Sequence, residues 1–312
     1  MYKFSLGNFI SESNQLLENV EIAYHIFGEL APEKKVIWVC HALTANSDAQ
    51  DWWPNFIGEN LTLDTEKYTI VCANILGSCY GTSFQKQEKL PLITIRDMVK
   101  LHQELAKFLQ ISEIELLLGG SLGGMQCLEW AIAEPDFIKK LFVIATNAKH
   151  SAWGIAFNEA QRMALELGEN GIDAARAIAM LSYRNYDTFE ATQTDEEEKL
   201  EQYRAASYQR HQGEKLRKRF SKESYFMLSK AMDSHHLGRG RNSVETALNQ
   251  ITAETLVIGI DSDILFPVSE QKFIAEHIKN AKLEVISSLY GHDGFLIETE
   301  KISTLLKKHF NL

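Results

Sequence analysis

Short runs of apolar residues recur along the chain and alternate with longer segments of helical periodicity. The runs are short and rich in β-branched residues, which is typical of buried strands. They lie at residues 36–40, 68–73, 114–118, 141–145, 255–260 and 282–286, after two N-terminal strands predicted at 2–6 and 20–27. Apolar residues at helical spacing lie at 94–109, 125–133 and 298–310. This alternation predicts an α/β fold with a mostly parallel central sheet flanked by helices.

The pattern changes between residues 151 and 249, where no strand is indicated and charged residues at helical spacing dominate. We interpret this segment as a helical lid inserted between two strands of the sheet. The predicted organisation is a core of residues 1–150 and 251–312 with a lid at 151–250. The acidic run at 195–201 is interpreted as a solvated helix face or loop.

The strand predicted at 114–118 leads directly into Gly119, Ser121 and Gly123, which form a G-x-S-x-G motif. A helix follows, and strand, tight turn and helix in that order are the context in which this motif indicates a nucleophile elbow. Such a turn holds the serine hydroxyl at the edge of the sheet, near the positive end of the helix. The alternative is a glycine-rich turn with an incidental serine.

A nucleophilic serine needs a histidine or another base, and the base needs an acid to orient it. In elbow-type folds the acid follows the serine along the chain, and the histidine follows the acid. His292 lies between glycines after the last predicted strand and is the candidate base. Asp263 is the favoured acid, in the loop after the strand at 255–260. Asp261 is the alternative, although it is nearer the strand end and well placed to cap the following turn.

Two further groups of residues bear on the chemistry, one in the oxyanion hole and one as a possible metal site. The backbone amides of Leu122 and Leu43 are suitably placed to form an oxyanion hole. His235 and His236 beside Asp233 do not predict a metal site, because adjacent histidines point in opposite directions and no third ligand is suitably spaced.

Composition narrows the class of protein. The hydrophobic fraction is 45%, the charged fraction is 24% and the net charge is -10, which excludes the basic footprint of a nucleic-acid binder. No apolar run is long enough to predict a membrane span, and the first residues do not resemble a signal peptide. Four cysteines are present without a C-x-x-C pair, so we expect a cytoplasmic protein with reduced thiols.

Several motifs together resemble the homoserine O-acetyltransferase family, in order and spacing, over nearly the whole chain. They are His41-Ala-Leu-Thr, Asn74-Ile-Leu-Gly, Thr94-Ile-Arg-Asp-Met-Val, Gly119-Gly-Ser-Leu-Gly-Gly-Met-Gln, Ser262-Asp-Ile-Leu-Phe-Pro and Gly291-His-Asp-Gly-Phe-Leu. The resemblance implies an α/β-hydrolase core with a helical lid, and a homodimer formed through that lid. It implies transfer of acetyl from acetyl-CoA to L-homoserine in methionine synthesis, through an acyl-serine and with no other cofactor.

The resemblance also implies roles for individual residues. Ser121 matches the family's nucleophile, Asp263 its acid and His292 its base. Arg162, in a Gln-Arg pair, matches an arginine that contacts the homoserine carboxylate, and Asp293 matches an aspartate that contacts the amino group. The alternative for Arg162 is a surface helix charge.

Alternatives remain at the level of the substrate. A succinyl donor, or serine as acceptor, suits the same scaffold. A serine esterase or thioesterase shares the triad but needs no site for a carboxylate and an amine, and a binding module needs no triad. The chain departs from the family pattern in a shorter loop after Asn74, in Leu122 where methionine is frequent, and in Ala45 where glycine is usual.

Overall fold

A computed structural model of the chain describes residues 1–168 and 170–312. Eight strands form one sheet, and two very short strands pair separately. The strands are β1 (Tyr2–Ile10), β2 (Leu16–Phe27), β3 (Lys35–Cys40), β4 (Ile57–Gly58), β5 (Leu63–Asp64), β6 (Tyr68–Ala73), β7 (Ile114–Gly120), β8 (Ile138–Ile144), β9 (Glu254–Ile260) and β10 (Ala281–Ile286).

The sheet order is β1-β2-β6-β3-β7-β8-β9-β10. Strand β2 is antiparallel to both of its neighbours, and every other pair in the sheet is parallel. The carboxyl ends of β3, β6, β7, β8, β9 and β10 therefore share one edge, where ligands bind in sheets of this kind. The predicted mostly parallel sheet is confirmed.

Twelve helices lie in the described residues. They are α1 (Ala49–Trp52), α2 (Ile95–Phe108), α3 (Leu122–Ala133), α4 (Ala152–Glu166), α5 (Gly171–Tyr183), α6 (Tyr186–Gln193), α7 (Arg204–Arg217), α8 (Lys222–Asp233), α9 (Val244–Leu248), α10 (Val268–His277), α11 (Gly294–Ile297) and α12 (Thr299–Phe310). A 3₁₀ turn at Gly291–Asp293 precedes α11.

Helices cover both faces of the sheet, because the central strands are apolar on both sides. All seven residues of β7 are buried. Leu117 points into an apolar cluster shared with α2 and α3, whereas Leu116 and Leu118 point into a second cluster shared with α12. This alternation follows from the two-residue period of a strand. Burial on both faces explains why the central strands are continuous apolar runs rather than alternating ones.

Six helices, α4 to α9, lie between β8 and β9, and no strand lies among the described residues there. This is the interval in which the sequence predicts a helical insertion. Helix α5 packs against α4 and α7, and the end of α5 also contacts the 3₁₀ turn. The inserted segment is thus in direct contact with the carboxyl edge of the sheet.

The strands in the amino-terminal part of the fold are longer than the sequence pattern predicts. Strands β1 and β2 are longer than predicted and form an antiparallel pair with irregular register around Gly7. Helix α3 also begins earlier than predicted, at the residue that follows Ser121. Among the helices described here, none has the length and apolar character needed to cross a membrane.

Candidate active site

Ser121 occupies a strained turn between β7 and α3. Its backbone φ is 56° and its ψ is -126°, a conformation that residues with side chains seldom adopt. A Cβ on Gly123 would lie 2.1 Å from the carbonyl oxygen of Cys40, and one on Gly119 would lie 2.5 Å from the backbone of Gly123. Glycine is therefore required on both sides of the serine. The turn packs against β3 and holds the hydroxyl beyond the end of the sheet.

Ser121, His292 and Asp263 form a continuous hydrogen-bonded series. The Ser121 hydroxyl lies 2.9 Å from Nε2 of His292, and Nδ1 of His292 lies 2.7 Å from Oδ2 of Asp263. All three residues are buried. With Nδ1 donating to the carboxylate, Nε2 is free to accept the serine proton, which is the arrangement of nucleophilic acyl transfer.

The structure distinguishes the two candidate acids. Oδ1 of Asp263 accepts hydrogen bonds from the amides of Leu265 and Phe266, at 2.8 and 2.9 Å, so that Oδ2 is directed to His292. Asp261 is exposed, and its carboxylate instead accepts a hydrogen bond from the amide of Ser288. The acid that contacts the histidine is therefore Asp263.

Three aromatic rings surround the imidazole of His292. The ring centroids of Phe266, Phe295 and Tyr183 lie 5.1, 5.3 and 5.7 Å from that of His292. The first two belong to the core, and Tyr183 ends helix α5 of the inserted segment. Packing from both parts of the protein therefore fixes the ring and limits the access of water to it.

The amides predicted for an oxyanion hole lie beside the serine. Leu122 is the first residue of α3, where a backbone N–H has no partner within the helix. Leu43 lies in the loop after β3 and lines the same cavity as Ser121. Neither amide donates to another group in the described part of the chain. Both are thus available to a ligand oxygen.

A cavity of about 480 Å³ opens above Ser121 and His292. Its wall includes the loop at residues 42–46, the end of α1, and residues from α5 and from the end of α7. Its charged lining residues are Asp51, Arg176, Lys215, Arg219 and Asp293. The core therefore supplies the nucleophile and the base, and the inserted segment supplies the cations.

Comparison with known proteins decides the family. A family model described as the alpha/beta hydrolase fold matches residues 35–299. A homoserine O-acetyltransferase of Cyclobacterium marinum is 41% identical, covering 96% of this chain and 92% of that protein. One of Nostoc punctiforme is 39% identical, covering 96% and 93%. This chain belongs to the homoserine O-acetyltransferase family.

Solved structures agree with this assignment. A homoserine O-acetyltransferase from Staphylococcus aureus has a TM-score of 0.88 and 29% identity, covering 100% of this chain and 95% of that one. The esterase E22 has a TM-score of 0.89 at 18% identity, covering 99% of each chain, which shows a shared fold alone. The α/β-hydrolase fold implied by the resemblance is confirmed.

The family resemblance pointed to Arg162, but the structure places this residue outside the cavity lining. Arg162 is buried between α4 and α8, where its guanidinium lies 2.5 Å from Asp233 and 2.6 Å from Glu159. It is also 3.3 Å from the hydroxyl of Ser229. Arg162 therefore joins two lid helices through its contacts, and its guanidinium does not face Ser121.

Two lid arginines line the cavity, Arg176 and Arg219, and no motif of the sequence pointed to either. Arg219 is bonded to the carbonyl of Thr44 and the hydroxyl of Tyr80, whereas Arg176 is not held in this way. The guanidinium of Arg176 lies over the ring of Tyr183, 5.2 Å from the centroid, and it forms no ion pair with any residue that the structure describes. The spacing between Arg176 and Tyr183 is the sequence signal that points to a shared helix face. Arg176 and Tyr183 are seven residues apart, which places them on one face of α5, two turns from each other.

Asp293 does line the cavity, next to His292. Oδ2 of its carboxylate lies 2.9 Å from Nε of Arg184, the residue that follows α5. Asp293 and Arg176 thus place an anion and a cation among the charged residues that line the cavity.

The family's His41 and Asn74 motifs shape the loops of the site. Nε2 of His41 accepts a hydrogen bond from the amide of Ile75, and burial lowers the pKa of this histidine to about 4. Oδ1 of Asn74 accepts from the amide of Ser47, and its Nδ2 donates to the carbonyl of Tyr80. These bonds tie the loop that carries Leu43 to the loop after β6.

His235 has a partner in the backbone near the end of β8. Nε2 of His235 bonds to the carbonyl of Asn147, and burial lowers its pKa to about 3. Across residues 1–168 and 170–312, no group of three or more histidine, cysteine or acidic side chains is arranged to hold a metal ion. His235 instead connects the end of α8 to the loop after β8.

Replacing Arg162 is expected to reduce stability. Arg162→Met leaves Asp233 without its cation, and burial already raises the pKa of that carboxyl. We expect the free energy of unfolding in urea to fall by about 1.5–3 kcal/mol, because a half-buried carboxylate loses a charge-assisted hydrogen bond. Arg217→Met is the matched control, since it removes the exposed ion pair with Asp173 and should cost under about 1 kcal/mol. Equal losses in both variants would contradict the structural role of Arg162.

Proposed function

We propose that the protein transfers the acetyl group of acetyl-CoA to the hydroxyl of L-homoserine, with Ser121 as the carrier. The observation that carries this proposal is the hydrogen-bonded series Ser121–His292–Asp263 in a cavity that also holds Arg176 and Asp293. Curated relatives about 40% identical over almost the whole chain bear the name homoserine O-acetyltransferase. The triad supplies acyl transfer, and the two charges suit an amino acid as acceptor.

In the first half-reaction, Oγ of Ser121 attacks the thioester carbonyl while Nε2 of His292 takes the hydroxyl proton. The tetrahedral oxyanion is stabilised by the amides of Leu43 and Leu122. When the C–S bond breaks, His292 returns the proton to the departing thiolate, so that CoA leaves as the thiol. Asp263 stays ionised and stabilises the imidazolium between these steps.

In the second half-reaction, the homoserine hydroxyl attacks the acetyl-serine and gives its proton to His292. The same two amides hold the oxyanion, and the proton passes to Ser121 Oγ as the ester bond to the enzyme breaks. Arg176 holds the acceptor's carboxylate, because a guanidinium binds a carboxylate through two parallel hydrogen bonds. Asp293 holds the ammonium group. The two contacts orient the hydroxyl toward the acetyl carbon.

Water competes with homoserine for the acetyl-enzyme. At ~55 M against roughly millimolar acceptor, water has an advantage of about 10⁴ to 10⁵, or about 6–7 kcal/mol. Oriented binding of the acceptor supplies energy on this scale. The aromatic rings around His292 and the inserted helices further restrict water. The acceptor site thus decides whether this fold transfers or hydrolyses.

We also propose that the protein acts in the cytoplasm as a homodimer formed through the lid. Free thiols at all four cysteines, with Cys79 exposed, suit a reducing compartment.

The dimer is supported by apolar side chains exposed on α4, on α5 and on the residue after α4: Trp153, Met163, Leu167 and Leu181. Sedimentation should give twice the 35.5 kDa of one chain, and Met163→Lys with Leu181→Lys should return it to one. A single-chain mass for the unchanged protein would contradict the dimer.

The transferase reaction is tested by thiol release from acetyl-CoA with and without L-homoserine. We expect homoserine to accelerate release by at least tenfold, since it discharges an acetyl-enzyme that water discharges slowly. Succinyl-CoA and L-serine, tested in the same format, should be poor replacements. Ser121→Ala should release no thiol with either acceptor. Equal rates with and without homoserine would indicate a hydrolase instead.

Arg176→Gln should separate the two half-reactions. The KM for homoserine should rise about 10- to 100-fold, because a charge-assisted hydrogen bond contributes roughly 1.5–3 kcal/mol. The burst of thiol that reports acetyl-enzyme formation should stay close to that of the unchanged protein. The variant should also lose its preference for homoserine over 3-aminopropanol, which has no carboxylate. Arg217→Gln, a lid arginine outside the cavity lining, is the control; a matching rise in that variant would refute the role of Arg176.

A further inference from the structure

The end of helix α5 is docked against the turn that carries the catalytic histidine. Gly291 has a φ of +58°, and a Cβ there would lie 3.0 Å from the carbonyl oxygen of Tyr183 and 3.1 Å from the carbonyl carbon of Arg184. The two backbones therefore meet without an intervening side chain. Any group at the end of α5 has a fixed position relative to the 3₁₀ turn at Gly291–Asp293.

Arg184 uses this fixed position to reach Asp293. Its Nε lies 2.9 Å from Oδ2 of Asp293, and its guanidinium lies over the ring of Tyr290, 5.3 Å from the centroid. Both members of the ion pair are mostly buried, with side chains 18% and 15% exposed. An ion pair in this setting is less screened by solvent than a surface pair.

The two residues of the pair face different spaces. Asp293 lines the cavity above Ser121, and Arg184 does not. Arg184 instead lines a smaller cavity of about 190 Å³ with Phe189, Tyr208 and Tyr290. The arginine thus contacts the carboxylate from the side away from the acceptor. Within the described residues the contact of Nε with Oδ2 has the distance of an ion pair but not the geometry of a hydrogen bond, and neither carboxylate oxygen of Asp293 accepts a hydrogen bond.

We propose that Arg184 is a positioning residue for the ammonium site of the acceptor. By holding Oδ2, it fixes the rotamer of Asp293 and leaves Oδ1 for the substrate's amine. This inference rests on the proposed function, in which Asp293 binds the ammonium group. Arg184 does not touch the substrate, and it acts only through the carboxylate between them.

A purely structural role for Arg184 makes a different prediction. Arg184 directly follows the last residue of α5, where a cation interacts favourably with the helix dipole, and its guanidinium packs on Tyr290. If those contacts were its whole contribution, removing it would loosen α5 and the histidine turn together. Both half-reactions would then decline, because Tyr183 and His292 are in contact. A change confined to recognition of the amine requires the positioning role.

The experiment compares Arg184→Gln, Arg184→Lys and Arg217→Gln as purified full-length proteins. For Arg184→Gln we expect the KM for L-homoserine to rise on the order of tenfold, since a misaligned charge weakens binding without altering the triad. The acetyl-enzyme burst should be unchanged. Arg184→Lys should recover most of the loss, and Arg217→Gln should match the unchanged protein.

A substrate that lacks the amine tests separately the proposed contact between Asp293 and the ammonium group. With 4-hydroxybutanoate as acceptor, Arg184→Gln and the unchanged protein should have the same kcat/KM, because no ammonium group is present. In an Asp293→Asn background, adding Arg184→Gln should produce no further rise in the KM for homoserine. Arg184→Lys tests the same contrast if the glutamine variant does not fold.

The proposal is overturned by an unchanged KM for homoserine, by an equal loss with 4-hydroxybutanoate, or by an equal loss of the acetyl-enzyme burst. Failure of the proposed function is recognised separately. In that case the unchanged protein itself would show no acceleration of thiol release by homoserine, before any variant is compared.

Discussion

The site depends on how closely the turn around Ser121 packs against the end of β3. Gly123 approaches the carbonyl of Cys40 so closely that no side chain fits between them. The next carbonyl, of His41, accepts a hydrogen bond from Gln126 of α3. The left-handed conformation of Ser121 costs on the order of 1–3 kcal/mol, and the complete burial of α3 residues such as Leu122 offsets it. Packing of helix on sheet thus holds a strained serine and two unpaired amides at one point.

Buried histidines in this protein are distinguished by their partners rather than by their surroundings. Burial lowers the pKa of His41 and His150 to about 4 and that of His235 to about 3, so these rings are neutral and serve as hydrogen-bond partners for loops and helices. His292 is as deeply buried, but it alone among these rings lies between a carboxylate and a serine hydroxyl. The pair of partners, and not burial, makes it suited to proton transfer.

The sequence was enough to predict site residues where the residues that define a motif are adjacent along the chain. Ser121 was found because strand, glycines and helix are adjacent, and His292 and Asp263 because each follows a strand that ends at the same edge. Arg162 and Arg176 show where this reasoning stops. Both lie on helices of the inserted segment. Spacing along the sequence shows which residues share a helix face, but it does not show whether that face turns toward a cavity. The orientation of each face depends on how α4, α5 and α8 pack on one another, and Arg162 forms an ion pair with Asp233 of α8 instead of lining the cavity.

Arg184 and Asp293 illustrate the same limit at longer range. The two residues are far apart in sequence, and their contact lies where Gly291 allows two backbones to approach closely. A motif identifies Asp293 as the neighbour of the catalytic histidine, but it contains no information about the residue behind the carboxylate. Contacts between the inserted segment and the core are therefore the part of the site that is hardest to predict from the sequence.

One guanidinium joins three distant parts of the chain. Arg219, just after α7, lies 2.6 Å from the carbonyl of Thr44 and 2.8 Å from the hydroxyl of Tyr80. Thr44 adjoins Leu43, whose amide faces the cavity. A chain reduced to its sheet and flanking helices would keep the triad and the hydrogen bonds of His41 and Asn74, but it would lose the contact of Arg219 with Thr44. The inserted segment therefore helps to hold the loop that carries Leu43, in addition to supplying cations to the cavity lining.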